Sequence, residues 1–143
     1  MNSDTVALLK ECDAGCKMGV ESMKQVRSYA EDGKLIAVID KYLERHDDFG
    51  DKCHRMLNQV KETTQDPPKM ASAFAKISTD MKLMMEKDSH KIAEILIDGC
   101  NMGVKSTTEN MHKYNKADAG SMNLAKELVE MEQKMSQELL QFL

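Results

Sequence analysis

An eight-residue segment occurs twice in this chain, and this repeat constrains the fold more than any other feature. Residues 15–22 read GCKMGVES, and residues 99–106 read GCNMGVKS. Six of the eight positions are identical, and the members of each matched pair are 84 residues apart (99 − 15). Around both copies, apolar residues recur every three or four positions, which indicates an amphipathic helix. The repeat therefore predicts two similar helical halves.

The same spacing predicts an all-α chain of 143 residues in a single domain, 1–143. The first helix begins at Ser3 or Asp4, and a new helix begins at Asp88 or Ser89, because these side chains cap helix starts. Pro67 and the next proline end the second helix, since proline removes an amide donor. We therefore expect a first hairpin (3–63), a crossover helix (69–87) and a second hairpin (88–143).

The segment between the hairpins decides the topology. It is too long for a tight loop, and a helix over residues 69–87 rises about 1.5 Å per residue, so that it spans roughly 27 Å. That length returns the chain toward the other end of the bundle, which makes the third helix parallel to the second. We predict a ferritin-like four-helix bundle of two pseudo-repeated hairpins joined by a crossover helix.

Glycines inside the repeated helices need an explanation. Each costs about 1 kcal/mol relative to alanine, so Gly15, Gly19, Gly99 and Gly103 together cost on the order of 4 kcal/mol. Either the first and third helices cross closely at these positions, or the glycines make room for large side chains from the second and fourth helices. A gap for a ligand or metal is the third explanation. We expect the second copy to place these positions of the third helix on or beside its buried face: Gly99, Met102, Gly103 and Ser106.

Two polar residues fall on apolar stripes. His46 shares a stripe of the second helix with Tyr42 and Phe49, and Glu132 shares a stripe of the fourth helix with Leu128. Both point inward at similar depth, so a buried ion pair is the simplest reading. Inward Glu and His side chains also hold iron or manganese in ferritin-like bundles, which makes the two residues metal candidates.

The spacing of Glu and His residues in the sequence gives limited support to a metal site. Di-metal bundles use a Glu-x-x-His motif on two helices, and no such motif occurs in this sequence. The nearest pair is Asp51 and His54, and His54 lies off the apolar stripe. Asp47, Asp48 and Asp51 are predicted to form a solvated face of the second helix.

Four cysteines offer a second metal reading. Cys12, Cys16, Cys53 and Cys100 all face inward, and 13 methionines accompany them, a soft-ligand composition that suits Cu(I). Buried cysteine and methionine also serve as adaptable hydrophobic side chains. We expect free thiols and no cofactor, with His46, Glu132, Cys16 and Cys100 as the candidates for a metal ion such as Fe, Mn or Cu.

Charge and hydropathy exclude several classes of protein. The formal net charge of −4 provides no basic surface, so we expect no nucleic-acid partner. No apolar run approaches the roughly 20 residues that span a bilayer. The first residues lack the basic and apolar regions of a secretion signal, so we expect a cytoplasmic location. No phosphate-binding loop, nucleophile elbow or Ser/His/Asp arrangement is present in the sequence.

Three segments together resemble a known family. They are residues 8–15 (LLKECDAG), residues 46–49 (HDDF) and residues 92–100 (IAEILIDGC). This order resembles an uncharacterised bacterial ferritin-like family, a domain of unknown function. The resemblance implies a ferritin-like fold and ancestry and a bacterial source, but no reaction. The chain departs from the family at Asn101 and Met102, where the family tends to carry a glutamate.

These observations lead to three functional hypotheses. The first is a non-enzymatic binding or interaction module that forms a homo-oligomer or binds a protein partner, since the C-terminal LLQFL leaves apolar surface. The second is a degenerate ferritin-like metal protein that uses a carboxylate–histidine or a thiol site. The third is a binder of lipids or small molecules, based on the methionine-rich interior and the glycines.

Overall fold

A computed structural model describes residues 2–60 and 88–143 of the chain, and every regular element in these two ranges is helical. The all-α prediction is therefore confirmed at that level. The four helices and a final 3₁₀ turn are α1 (Ser3–Arg27), α2 (Gly33–Gln59), α3 (Ser89–Lys113), α4 (Ala119–Leu139) and the turn Leu140–Phe142. The predicted crossover helix, 69–87, lies outside the described residues.

Each of the four helices begins at a side chain that caps it. An oxygen of the cap accepts a backbone N–H from the first turn, which would otherwise lack a partner. The four caps are Asn2, Asp32, Asp88 and Asp118. The prediction of Ser3 or Asp4 as the first cap is wrong, because Asn2 accepts from the Thr5 N–H at 2.8 Å.

Ion pairs show how α2 and α4 run. Lys41 Nζ lies 2.7 Å from Glu138 Oε1, and Lys52 Nζ lies 2.7 Å from Glu127 Oε1. Residue numbers rise along α2 while they fall along α4, so these two helices are antiparallel. The ion pairs themselves are exposed and contribute little to stability.

The start of α1 lies against the turn between α3 and α4. Asn2 Nδ2 donates to Lys116 O at 2.7 Å, and the Lys116 N–H donates to Asp4 Oδ2 at 3.0 Å. The Asp118 N–H donates to Thr5 Oγ1 at 2.8 Å. Helix α1 also packs against each of the other three helices. The two hairpins are therefore joined both at this end and along α1.

The core lies between the inward stripes of the helices. The stripes predicted for α2 and α4 are buried from Leu35 to Cys53 and from Ala125 to Leu139, whereas their last predicted members are half-buried: Met56, Val60 and Phe142. The stripe of α3 differs from the prediction, because Met102 is 61% exposed and Gly99 and Ser106 are also exposed. Cys100 of α3 is buried, and two steps along a helix turn the chain by about 200°, so Met102 points away from the core.

No helix in the ranges 2–60 and 88–143 has the length and apolar character needed to cross a bilayer.

Candidate functional site

His46 of α2 and Glu132 of α4 meet in the interior, as their stripes predict. His46 Nε2 lies 2.7 Å from Glu132 Oε1. The His46 side chain is 1% exposed and that of Glu132 is 11% exposed, so the contact is shielded from water. A buried charge of this kind needs a partner, and each residue supplies one for the other.

The second ring nitrogen of His46 determines where the protons lie. His46 Nδ1 is 2.6 Å from the backbone oxygen of Tyr42, which can only accept, so Nδ1 carries a hydrogen. One more proton must lie between Nε2 and the Glu132 carboxyl group. Either His46 is an imidazolium that donates to a carboxylate, or protonated Glu132 donates to a neutral ring. In both forms the pair is neutral overall, which is the arrangement that a dry interior tolerates.

The repeated glycines make room for this pair. A Cβ atom added at Gly19 would lie 3.3 Å from His46 Nε2, and one added at Gly103 would lie 3.4 Å from Glu132 Oε2. Gly19 and Gly103 are matched positions of the repeat, and each faces a side chain from the next helix of its own hairpin. The second glycine of each copy is therefore explained by the volume of the side chain that it faces.

The alternative of a close crossing between α1 and α3 at the glycines is wrong. At Gly15 and Gly99 an added Cβ would meet nothing within 4 Å, and at Gly19 it would meet only His46. Helices α1 and α3 do contact each other, but a Cβ atom at Gly15 or Gly19 would have no α3 atom within 4 Å, and one at Gly99 would have no α1 atom within 4 Å.

Two cysteines complete the polar centre, which consists of Cys16, His46, Cys100 and Glu132. The Cys16 thiol donates to the backbone oxygen of His46 at 3.1 Å. Cys100 occupies the matched position in the second copy, and its thiol interacts with the Glu132 carboxyl group. Each hairpin thus contributes one thiol and one glycine from its first helix and one polar side chain from its second helix.

The thiols are held in the protonated form. Burial, followed by the charges of nearby carboxylates such as Asp13, raises the pKa of Cys16 from 9.0 to about 12. Burial likewise raises the pKa of Cys12 to about 12, and it raises the pKa values of Cys53 and Cys100 well above 9.0. All four cysteines are free and buried, as predicted. A thiol that keeps its proton is a poor nucleophile, and a metal would have to displace that proton.

The four metal candidates therefore lie together, at the same polar centre. Their donor atoms are engaged with one another and with the backbone. Across residues 2–60 and 88–143, no group of three or more His, Cys, Asp and Glu side chains has an arrangement that could hold a metal ion. Metal binding at this centre stays a prediction.

Asp13 is a buried carboxylate that the sequence pattern did not single out. It is 1% exposed, and its oxygens lie 2.8 Å from His54 Nε2 and 3.0 Å from Lys17 Nζ. Neither contact is aligned as a hydrogen bond, and neither oxygen has another hydrogen-bond donor in the described part of the chain. The available sequence signal is its position on the stripe of α1, four residues after Leu9 and three before Cys16.

A cleft between α1 and α2 lies over Asp13. Its volume is about 230 Å³. The titratable groups that line it are Asp13, Cys16, Lys17, Glu21, His46, Asp47, Asp51 and His54. Asp47 and Asp51 are exposed, as expected for a solvated face, and they form the rim of this cleft. The cleft brings four carboxylates beside a single lysine, which favours cationic over anionic ligands.

Comparison of the chain with protein families, with curated proteins and with solved structures gives no match. The resemblance to a bacterial ferritin-like family therefore stays a prediction.

Proposed function

We propose that this chain is a bacterial, cytoplasmic, ferritin-like bundle that works as a non-enzymatic binding or interaction module. The proposal rests on the hydrogen bonds within the polar centre. Both ring nitrogens of His46 are engaged, by Tyr42 and by Glu132, and the Cys16 thiol is held by the His46 backbone. The buried polar groups thus bind one another and serve to join the hairpins.

Helix directions support the ferritin-like topology. Helix α2 is antiparallel to α4, and α3 and α4 form a hairpin whose short turn makes them antiparallel as well. Helices α2 and α3 then run in the same direction. Parallel second and third helices are a feature of ferritin-like bundles, in which one long crossover joins them.

Apolar surface near the C-terminus supports association. Leu140 is 46% exposed and Leu143 is 56% exposed, at the end of the bundle that follows α4. Apolar side chains that lie together at a surface favour contact with another protein or a second copy. Light scattering over a range of concentrations tests self-association: a mass above 16.1 kDa that rises with concentration supports a homo-oligomer, and a constant monomer mass removes it.

The decisive test of the proposal is the metal content of the protein. The chain is produced with supplements of Fe, Mn, Zn and Cu, purified without chelator, and analysed for bound elements. We expect well under one metal ion per chain. One or two ions per chain would contradict the proposal and favour the alternative.

The alternative is a degenerate ferritin-like metal protein. The chemistry of the polar centre favours it, because imidazole, carboxylate and thiol are all metal ligands and His46, Glu132, Cys16 and Cys100 lie in the same part of the core. Binding would require His46 Nε2 to leave Glu132 and the thiols to lose their protons. Loss of the metal in a Glu132→Gln variant that remains folded would identify the site.

A further inference from the structure

We propose that the cleft between α1 and α2 docks the cationic side chain of a protein partner, an arginine or a lysine, over the buried carboxylate of Asp13. The inference rests on the proposed function as an interaction module and names the chemistry of the partner. His46 and Cys16 of the polar centre also line this cleft, but the acidic groups that would bind the cation, Asp13 first among them, take no part in the contact between His46 and Glu132.

Asp13 supplies the buried group that a cation would bind. A carboxylate that is 1% exposed normally accepts several hydrogen bonds, because burial without them costs free energy. The oxygens of Asp13 accept no aligned hydrogen bond from the described residues. Lys17 Nζ and His54 Nε2 lie at ion-pair distances from them, 3.0 Å and 2.8 Å, but neither nitrogen is aligned as a hydrogen-bond donor. A guanidinium or ammonium group carries the donors that these oxygens lack.

The side chains over Asp13 can move aside. The Lys17 side chain is 28% exposed and that of His54 is 46% exposed, so neither is fixed by packing on all sides. The ammonium group of Lys17 already occupies a cation position beside Asp13. An incoming cation replaces it, and Lys17 then extends into water with little loss, because partly exposed ion pairs are weak.

The rim of the cleft provides further negative charge. Glu21, Asp47 and Asp51 line it, and none of the three makes an ion pair with a residue in 2–60 or 88–143. Their carboxylates attract a cation and remain free to contact it. This charge complementarity selects a basic partner over an acidic or a neutral one.

The size of the cleft favours a side chain over a free metabolite. Pockets that enclose small molecules typically measure about 300–1,000 Å³. This cleft is smaller, at about 230 Å³, and within residues 2–60 and 88–143 its walls come from α1 and α2. It can hold the end of one side chain that projects from a partner surface. Arginine suits it best, because a guanidinium can donate to two carboxylates at once.

The test is an NMR titration of the ¹⁵N-labelled full chain. The probe is a blocked tripeptide with arginine in the centre, and its glutamine counterpart is the neutral control. We expect the arginine peptide to shift amides in residues 13–21 and 47–54, and the glutamine peptide to shift none. Shifts spread over the whole acidic surface, or no shifts, would overturn the proposal. Tighter binding of free agmatine than of the arginine peptide would overturn the choice of a protein partner.

Two matched variants locate the binding site. Asp47→Asn with Asp51→Asn removes two charges at the rim, and Asp98→Asn with Glu109→Gln removes two charges from exposed positions of α3. We expect the rim variant to bind the arginine peptide about fivefold more weakly and the α3 variant to bind within about twofold of the original chain. Equal weakening in both variants would show a general charge effect and contradict the proposal.

The Lys17→Met variant tests whether the bound cation contacts Asp13. Without the competing ammonium group, the arginine peptide is expected to bind about threefold more tightly. Unchanged or weaker binding would show that the cation does not reach Asp13. These outcomes are independent of the metal analysis: a stoichiometric metal ion would refute the interaction module, whereas failed peptide binding would refute only the docking cleft.

Discussion

His46 and Glu132 connect the two hairpins of this bundle through one buried contact, 2.7 Å long, between Nε2 and Oε1. The two residues occupy equivalent places in the repeat, each opposite a glycine of the first helix of its own hairpin. The first hairpin carries the basic residue, His46, and the second carries the acidic residue, Glu132. This difference favours packing of the first hairpin against the second over packing of two identical hairpins.

Removal of one member of this pair should lower the free energy of unfolding far more than removal of both. His46→Leu leaves the Glu132 carboxyl buried without its partner, and we expect the free energy of unfolding to fall by about 3–5 kcal/mol. The double variant His46→Leu with Glu132→Met removes both polar groups at similar volume and should recover most of that loss. Urea denaturation of the two variants measures the difference. A double variant that is as unstable as the sum of the single ones would contradict this account.

The glycines allow a comparison within each copy of the repeat. Gly15→Ala adds a methyl group where nothing lies within 4 Å, so it should raise the free energy of unfolding by about 1 kcal/mol. Gly19→Ala places the methyl group 3.3 Å from His46 Nε2, and that ring is held by hydrogen bonds at both nitrogens. We expect this variant to lose stability. Thermal unfolding of both variants tests the account, which fails if both are stabilised equally.

The sequence predicted this centre more completely than it predicted its surroundings. His46 and Glu132 lie on the apolar stripes of α2 and α4, so the periodicity of these helices places both side chains inward. Asp13 lies on the buried face of α1, between the buried Cys12 and Cys16. The pattern of α1 did not reveal it, because periodicity alone does not distinguish a buried carboxylate from one at the solvated edge of a stripe.

Met102 and the glycines illustrate a second limit. The repeat indicates that the two copies are alike, and we expect Met102 on or beside the buried face of the third helix, but it is exposed in the structure. Small residues on a helix permit either a close helix crossing or a large neighbouring side chain. The choice depends on which helix lies opposite, and that is a property of the tertiary structure. The contacts of Gly19 and Gly103 show that these glycines make room for the side chains of His46 and Glu132.

The buried thiols predict a loss of stability at alkaline pH. An unfolded chain ionises its cysteines near pH 9, whereas the folded chain keeps the protons of Cys12 and Cys16 until about pH 12. The stability linked to these protons is complete below pH 9 and is lost as the pH rises toward 12. Each thiol contributes about 1.4 kcal/mol per pH unit within that window.

The measurement compares how steeply the free energy of unfolding falls with pH in two chains, and not its absolute value. The free energy of unfolding is determined by urea at pH 7.5, 9.5 and 10.5, under reducing conditions, for the original chain and for Cys16→Ala. The variant should show a shallower decline above pH 9, whatever its stability at pH 7.5. Lysines and tyrosines titrate in both chains, so their effects cancel. Parallel curves would contradict a raised pKa for Cys16.

Tyr42 provides a further link between α2 and α4. Its hydroxyl donates to Glu138, whose pKa is lowered by hydrogen bonds from Lys41 and from Tyr42 itself. The ring of Tyr42 is buried, so Tyr42→Phe keeps the packing and removes this hydrogen bond together with the longer one, 3.5 Å, that Arg45 donates to the hydroxyl. We expect a loss of about 1.5 kcal/mol in the free energy of unfolding, the lower end for bonds to charged groups, because Glu138 is partly exposed. Tyr29→Phe, at an exposed position, is the control and should change stability little.

Asp13 and Lys17 should show energetic coupling, because the lysine forms an ion pair with a buried carboxylate. Lys17 Nζ lies 3.0 Å from Asp13 Oδ2. In the original chain, Lys17→Met should lower the free energy of unfolding by about 1 kcal/mol, the upper end for a partly exposed pair. In the background of Asp13→Asn there is no charge left to balance, so the same substitution should cost at most about 0.3 kcal/mol. Urea denaturation of the four chains gives the coupling directly. A cost for Lys17→Met that is the same in both backgrounds would show that Lys17 contributes through its methylene packing and not through its charge.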